Sequence, residues 1–190
     1  SSAAIRCCSL SYLGELVDGS DDMRSYKDST LKYVAWMLTD KAPEVRALAL
    51  QQLKCVYRRA EHKPGMRQKL SAFTVRFTET IVERANNADA TVALPALQAA
   101  EALIKAGLLP PSADDAEESP SKRLERLLLS DNAAVAAAAA RCVAANVDHR
   151  DLQLAAGDGG GGGGEDEEDD EDGKGGTSGG LDAAHSERQI

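Results

Sequence analysis

The chain contains no apolar run approaching the roughly 18 uninterrupted residues a membrane-spanning helix needs; the Ala-rich segment 133–145 is too short and too weakly hydrophobic. Strand signals are scarce as well. β-Branched residues seldom alternate with polar ones, and Ala, Leu, Arg, Lys and Glu dominate the ordered part, so helix is the default. The four cysteines, Cys7, Cys8, Cys55 and Cys142, show neither CxxC spacing nor a regular framework; they read as buried free thiols of a reducing compartment. His62, His149 and His185 are scattered without the convergent spacing of metal ligands and read as surface residues. Also missing are a Ser-His-Asp set, paired catalytic carboxylates and a phosphate-binding glycine loop: Gly159 to Gly164 follow no strand and open no helix. An enzyme is therefore not expected, and no metal or cofactor is called for. There is no initiating Met, n-region or h-region. Ser1 opens directly into Ala4-Ile5-Arg6-Cys7-Cys8, the look of an excerpt from something longer.

What the chain does have is unevenly distributed. The first 150 residues carry nearly all the Leu, Ile, Val and aromatics, whereas residues 154–190 are mostly Gly, acids, Ser and small polar types. The net charge of −9 is dominated by the eight consecutive acids Glu165 to Asp172. Residues 21–84 alone hold 13 Lys and Arg against 8 Asp and Glu, a net of +5. The organisation expected is a helical domain over residues 1–153 followed by a disordered, acidic, Gly-rich tail over 154–190, since such a composition cannot bury enough apolar surface to fold.

Capping and breaking residues divide the domain into seven helices: about Ala3 to Val17, Ser29 to Leu38, Glu44 to Arg59, Met66 to Ala85, Ala90 to Ala106, Pro120 to Leu129, and Asn132 to Val147. Pro43 belongs at the first turn of the third, and Gly107 with Pro110-Pro111 closes the fifth. Three junctions look alike, Asp40-Lys-Ala-Pro-Glu-Val45, Asn87-Ala-Asp-Ala-Thr-Val92 and Asp131-Asn-Ala-Ala-Val135. Their valines lie 47 and 43 positions apart, close to the roughly 40–47 residues of HEAT and armadillo units. Ile5-Arg6 precedes Val45-Arg46 by 40 positions, so the first helix reads as the second member of an earlier pair. An all-α, HEAT-like solenoid of about three helix pairs is the expected fold, an architecture that offers extended surfaces to partners.

On the second helix, Leu31, Val34, Ala35 and Leu38 form the stripe to be buried. Asp28, Lys32 and Trp36 form another, with the lone tryptophan farthest from the first. Either Trp36 fills a seam between units, or it belongs to a partner-binding patch, the use for which an indole beside a cation and a carboxylate is suited. On the fourth helix Leu70, Phe73, Phe77 and Ile81 make the core stripe and Arg76 flanks it. First helices of adjacent units lie side by side, so the Trp36 and Arg76 helices should be neighbours. Separately, Arg58, Arg59, Lys63, Arg67 and Lys69 cluster around the turn between the third and fourth helices. They are either possible DNA phosphate contacts or a solvated ridge, and only Tyr57 interleaves as an aromatic.

The ordered set Asp28-Ser-Thr-Leu-Lys-Tyr-Val-Ala-Trp36, Asp40-Lys41, Glu44-Val45-Arg46, Leu53, Tyr57, Phe73-Thr-Val-Arg76-Phe77 and Ile81 resembles the stromalin conservative domain of the stromal-antigen subunits of cohesin, over about residues 4–106 and more faintly to 147. The resemblance implies a non-enzymatic HEAT-repeat subunit located on chromosomes in the nucleus. Its expected roles are sister-chromatid cohesion and chromosome segregation, and its expected partners are the kleisin subunit, chromatin and aromatic-motif segments of cohesin regulators such as shugoshin. It further implies that Trp36 walls the aromatic pocket and Arg76 holds the peptide by charge or stacking, with Asp28, Lys32 and Phe77 contributing. The alternative is a HEAT or armadillo adaptor of another complex, condensin-like or of nuclear transport. Ala35 stands where the family has Gly, an aromatic that usually precedes the first helix is absent, and the last helix pair is far poorer in large side chains.

Overall fold

A computed structural model describes residues 2–19, 28–110 and 119–157. All its regular elements there are helical: α1 (Ala3–Gly19), α2 (Asp28–Trp36) with a 3₁₀ turn (Met37–Thr39), α3 (Pro43–Glu61), α4 (Pro64–Ala85), α5 (Ala90–Lys105), α6 (Pro120–Arg126) with a second 3₁₀ turn (Leu127–Leu129), and α7 (Ala133–Gly157). Residues 1–159 form one compact unit. The tail expected over 154–190 lies outside the described residues, apart from the last turn of α7.

Pairing makes this a repeat. α2 packs with α3, α4 with α5, and α6 with α7, while α1, α3, α5 and α7 stack successively as one layer and α2, α4 and α6 as another. Each second helix carries the stripe that fills the space between layers: Val45, Ala49, Leu50 and Leu53 on α3, and Val92, Ala96, Leu97 and Leu103 on α5, are all buried. The three junctions recognised in sequence share one local device. A side-chain oxygen accepts the amide two residues on, from Asp40 Oδ1 to the Ala42 N–H at 2.8 Å, Asn87 Oδ1 to the Asp89 N–H at 2.9 Å, and Ser130 Oγ to the Asn132 N–H at 3.3 Å. This places the third junction one residue earlier than its Asp131, and the same 47 and 43 spacing now joins Asp40, Asn87 and Ser130.

Local chemistry accounts for the helix ends. Pro43, Pro64 and Pro120 sit at the first turn of α3, α4 and α6, where a missing N–H has no intrahelical partner to lose. Because of this α4 starts at Pro64, two residues ahead of the expected Met66. Asp89 caps α5 through the Thr91 amide, and Asn132 caps α7 through the Ala134 amide. Gly107, at φ 67°, ends α5, with the Leu108 N–H on the Leu103 carbonyl at 3.1 Å and the Gly107 N–H on that of Ile104 at 2.8 Å, the two bonds of a Schellman turn. α7 continues to Gly157, ten residues past the expected Val147. Its extension, DHRDLQLAA, contains no breaker before that glycine.

The core corrects two expectations. Phe77 is half-buried at the rim of the α4 stripe, and the buried face turns instead through Thr74 and Thr78. Thr78 donates to the Thr74 carbonyl at 2.7 Å, and burial raises the phenol of Tyr57, whose hydroxyl lies 3.5 Å from Thr74 Oγ1. Not all the cysteines are buried. Cys8 is exposed, Cys7 and Cys55 are half-buried, and only Cys142 lies in the core, its Sγ donating to the Leu97 carbonyl at 3.2 Å and its thiol pushed up to about 12 by burial.

Candidate partner-binding surface

α2 buries Leu31, Val34 and Ala35, and the 3₁₀ turn after it buries Leu38. With that stripe anchored, the 100° step of the helix carries Tyr33 and Trp36 outward. Trp36 is 56% exposed and Tyr33 49% exposed, so the indole fills no seam between the described helices. The two rings meet edge to face with centroids 5.3 Å apart, and Lys32 Nζ stands 5.1 Å from the Tyr33 centroid and 5.7 Å from that of Trp36. The surface offers an aromatic pair with a cation against both rings, a geometry that favours further aromatic and anionic groups. Tyr33 is not among the site residues expected from the sequence, although its i, i+3 spacing from Trp36 is a usable signal. Asp28 opens α2, and its side chain lies outside the described residues.

On α4 the exposed Arg76 guanidinium stands 5.9 Å from the centroid of Phe77, which itself packs on buried Phe73 at 4.8 Å. α2 and α4 are in contact within the first-helix layer. Two aromatic-and-cation pairs are thus carried by adjoining helices.

The connector after α2 is held by charge. Arg6 of α1 grips the Asp40 carboxylate at both oxygens, Nε to Oδ2 at 2.6 Å and Nη2 to Oδ1 at 2.7 Å. The Arg6 bond holds the Asp40 carboxyl below its ordinary value against the opposing effect of burial. Arg46 donates to the carbonyls of Asp40 and Lys41 at 2.8 and 3.1 Å. These contacts position the end of the Trp36 helix.

Residues 1–78 match the family model of the stromalin conservative domain. The N-terminal part of this chain is stromalin-type. It is 33% identical over 84 residues to sister-chromatid cohesion protein 3 of Arabidopsis thaliana, covering 44% of this chain and 7% of that protein. It is 39% identical over 71 residues to cohesin subunit SA-1 of Xenopus laevis, covering 37% of this chain and 5% of that one. The chain therefore spans less than a tenth of the length of either relative. The match ends at residue 78, so beyond it the repeat rests on helix packing.

Within the matched segment and just past it, to Ile81, the motif residues fall into two groups. Leu31, Val34, Val45, Leu53, Tyr57, Phe73 and Ile81 are core, and Asp40 and Arg46 hold the connector. Trp36 and Arg76 are exposed, Lys32 is half-exposed against Trp36, and Phe77 lies at the core's edge. Ala35, in place of the family's glycine, is buried and its methyl is accommodated.

The basic residues are less uniform than their spacing suggested. Lys63 is the N-cap of α4, Lys69 is exposed, and Arg59 and Arg67 are half-buried. Arg58 lines a cavity of about 220 Å³ among α3, α5 and α7, together with Lys54, Glu61, Glu101, Lys105 and Arg141. There Glu101 bonds Lys105 at 2.7 Å and Arg141 at 3.3 Å. Burial raises the Glu101 carboxyl, but these two cations together hold it below its ordinary value. Arg58 therefore faces a mixed-charge surface.

Among the described residues no group of His, Cys, Asp and Glu is arranged to hold a metal, and no helix is long and apolar enough to cross a membrane.

Proposed function

We propose that the chain acts without catalysis as part of a cohesin-complex subunit on chromosomes in the nucleus, in sister-chromatid cohesion and chromosome segregation. In this reading it binds kleisin and receives short aromatic-bearing segments of cohesin regulators, shugoshin-like proteins among them. The observation that carries the proposal is the exposed Trp36, flanked by Tyr33 and Lys32, at the motif position of a stromalin-matched segment. A solvent-facing indole contributes little to the fold, so partner binding supplies the reason for its place. An incoming Phe or Tyr ring would pack edge to face on the Trp36 and Tyr33 pair, and Lys32 and Arg76 would attract acidic groups beside it.

The site comprises Asp28, Lys32, Trp36, Arg76 and Phe77, with Tyr33 added. Trp36→Ala and Arg76→Glu should each weaken binding of such a peptide, in the presence of kleisin, at least 10-fold while leaving the melting temperature within about 2 °C. Isothermal titration measures the first and calorimetric melting the second. Unchanged affinity in both variants would refute the assignment. The names of the two relatives favour cohesin over the condensin-like or nuclear-transport alternative, and a pull-down with kleisin separates these. Lys63, Arg67 and Lys69 are proposed as accessory contacts to DNA phosphates, with Arg58 and Arg59 contributing less. Their neutralisation should flatten the salt dependence of DNA binding by about one unit per phosphate lost.

A further inference from the structure

Two arginines at one register position hold successive connectors of the stack. Arg6 grips the Asp40 carboxylate at 2.6 and 2.7 Å. Forty positions on, Arg46 donates to the Asp40 and Lys41 carbonyls at 2.8 and 3.1 Å. Its charge also reaches the next connector at Asp89, a carboxyl held low chiefly by hydrogen bonds from Thr91. The spacing of 47 that carries Val45 to Val92 carries Arg46 to Ala93, a buried methyl on α5. The guanidinium of the gap between the first two connectors therefore has no counterpart from α5 in the gap that follows. There, between connectors 86–89 and 130–132, lies a cavity of about 260 Å³. Asn86, Asn87 and Asp131 supply polar groups to its lining, and Ala90, Leu127 and Val135 supply apolar walls. The Asp131 carboxylate and the Asn86 carboxamide belong to exposed residues and bond to no side chain or backbone group of the described residues.

We infer that this cavity receives the arginine side chain of a partner protein segment, in the place that Arg46 fills one unit earlier. A guanidinium carries five donors in a rigid fork, which suits a carboxylate and carboxamide oxygens converging from two connectors. The alanine, leucine and valine walls cover the aliphatic stem that leads to it. A lysine ammonium, compact and strongly hydrated, matches such a forked position less well. The cavity begins past the stromalin match at residue 78 and shares no residue with the Trp36 and Arg76 surface. The inference thus goes beyond the proposed function and is decided independently of it.

The probe is the peptide acetyl-Gly-Arg-Gly-amide, with its lysine and citrulline counterparts as controls. Each is titrated into the full chain while the side-chain amide signals of Asn86 and Asn87 are followed by NMR. The arginine peptide should shift both signals saturably, with half-saturation on the order of 1 mM. The lysine peptide should bind about 3-fold more weakly or worse, and the uncharged citrulline peptide should not saturate. Asp131→Asn, at an exposed position, should weaken arginine binding about 10-fold with melting unchanged. Asn86→Asp, which adds a second carboxylate, should tighten it. The inference is overturned if the arginine peptide does not saturate by about 20 mM, if a control peptide binds as well as arginine, or if either variant binds like the wild type. It is likewise overturned if the peptide shifts only signals of the acidic run Glu165 to Asp172, which would then be the arginine site.

Discussion

Trp36 was legible in the sequence as a residue off the buried stripe, but the spacing alone allowed a seam and a surface patch equally. Which one holds depends on how closely neighbouring helices approach, a property of tertiary packing. Because the indole is outside the core, Trp36→Ala should change stability by no more than about 0.5 kcal/mol. Leu38→Ala removes three carbons of a fully buried side chain and should cost about 2–5 kcal/mol; urea unfolding of the two variants checks the contrast. The Arg6 and Asp40 pair gives a second residue-level expectation. The Asp40 carboxyl in the folded state lies below its ordinary 3.8, so its contribution is fully present above that value and is lost as pH falls through the lower folded one. An acid titration of helicity by circular dichroism should show Asp40→Asn less stable than wild type at pH 7, with the two converging below about pH 4.

Among the elements, all seven helices were legible because caps and breakers are local chemistry: Asp89, Asn132, the three prolines and Gly107 each act within a turn of their own position. What local signals missed was of another kind. The turn of the α4 core face toward Thr74 and Thr78 involves Tyr57 from the neighbouring helix, and α7 runs on past Val147 because no breaker stops it before Gly157. Pro95 lies inside α5, where it removes one backbone donor from the helix interior without ending the helix. Two glycines separate backbone need from mere closeness. Gly107 has φ 67°, and a Cβ there would also sit 2.9 Å from the His149 ring, so Gly107→Ala should destabilise by about 1 kcal/mol or more. In α1 a Cβ on Gly14 would meet only the far end of the Gln52 side chain, which can swing aside. Gly14→Ala should therefore be neutral or stabilising by up to about 1 kcal/mol, as thermal melts of the two variants would show.

At the scale of the whole molecule, the repeat could be read from three similar junctions, and among the described residues the packing of helices extends it to two layers built from three pairs and the preceding α1. The partner surface could be read only in part. Lys32, Trp36 and Arg76 were found by periodicity and by family resemblance, while Tyr33 emerges only from the packing of α2. The central claim is that the aromatic pair on α2 receives an aromatic segment of a partner. Its most direct test is the emission of Trp36, the chain's single tryptophan, during titration with a peptide of Phe or Tyr, any residue, and Phe, with kleisin present. The account predicts a saturable change in the wild type that Arg76→Glu weakens at least 10-fold. Emission that stays flat in the wild type across the same peptide range would contradict it.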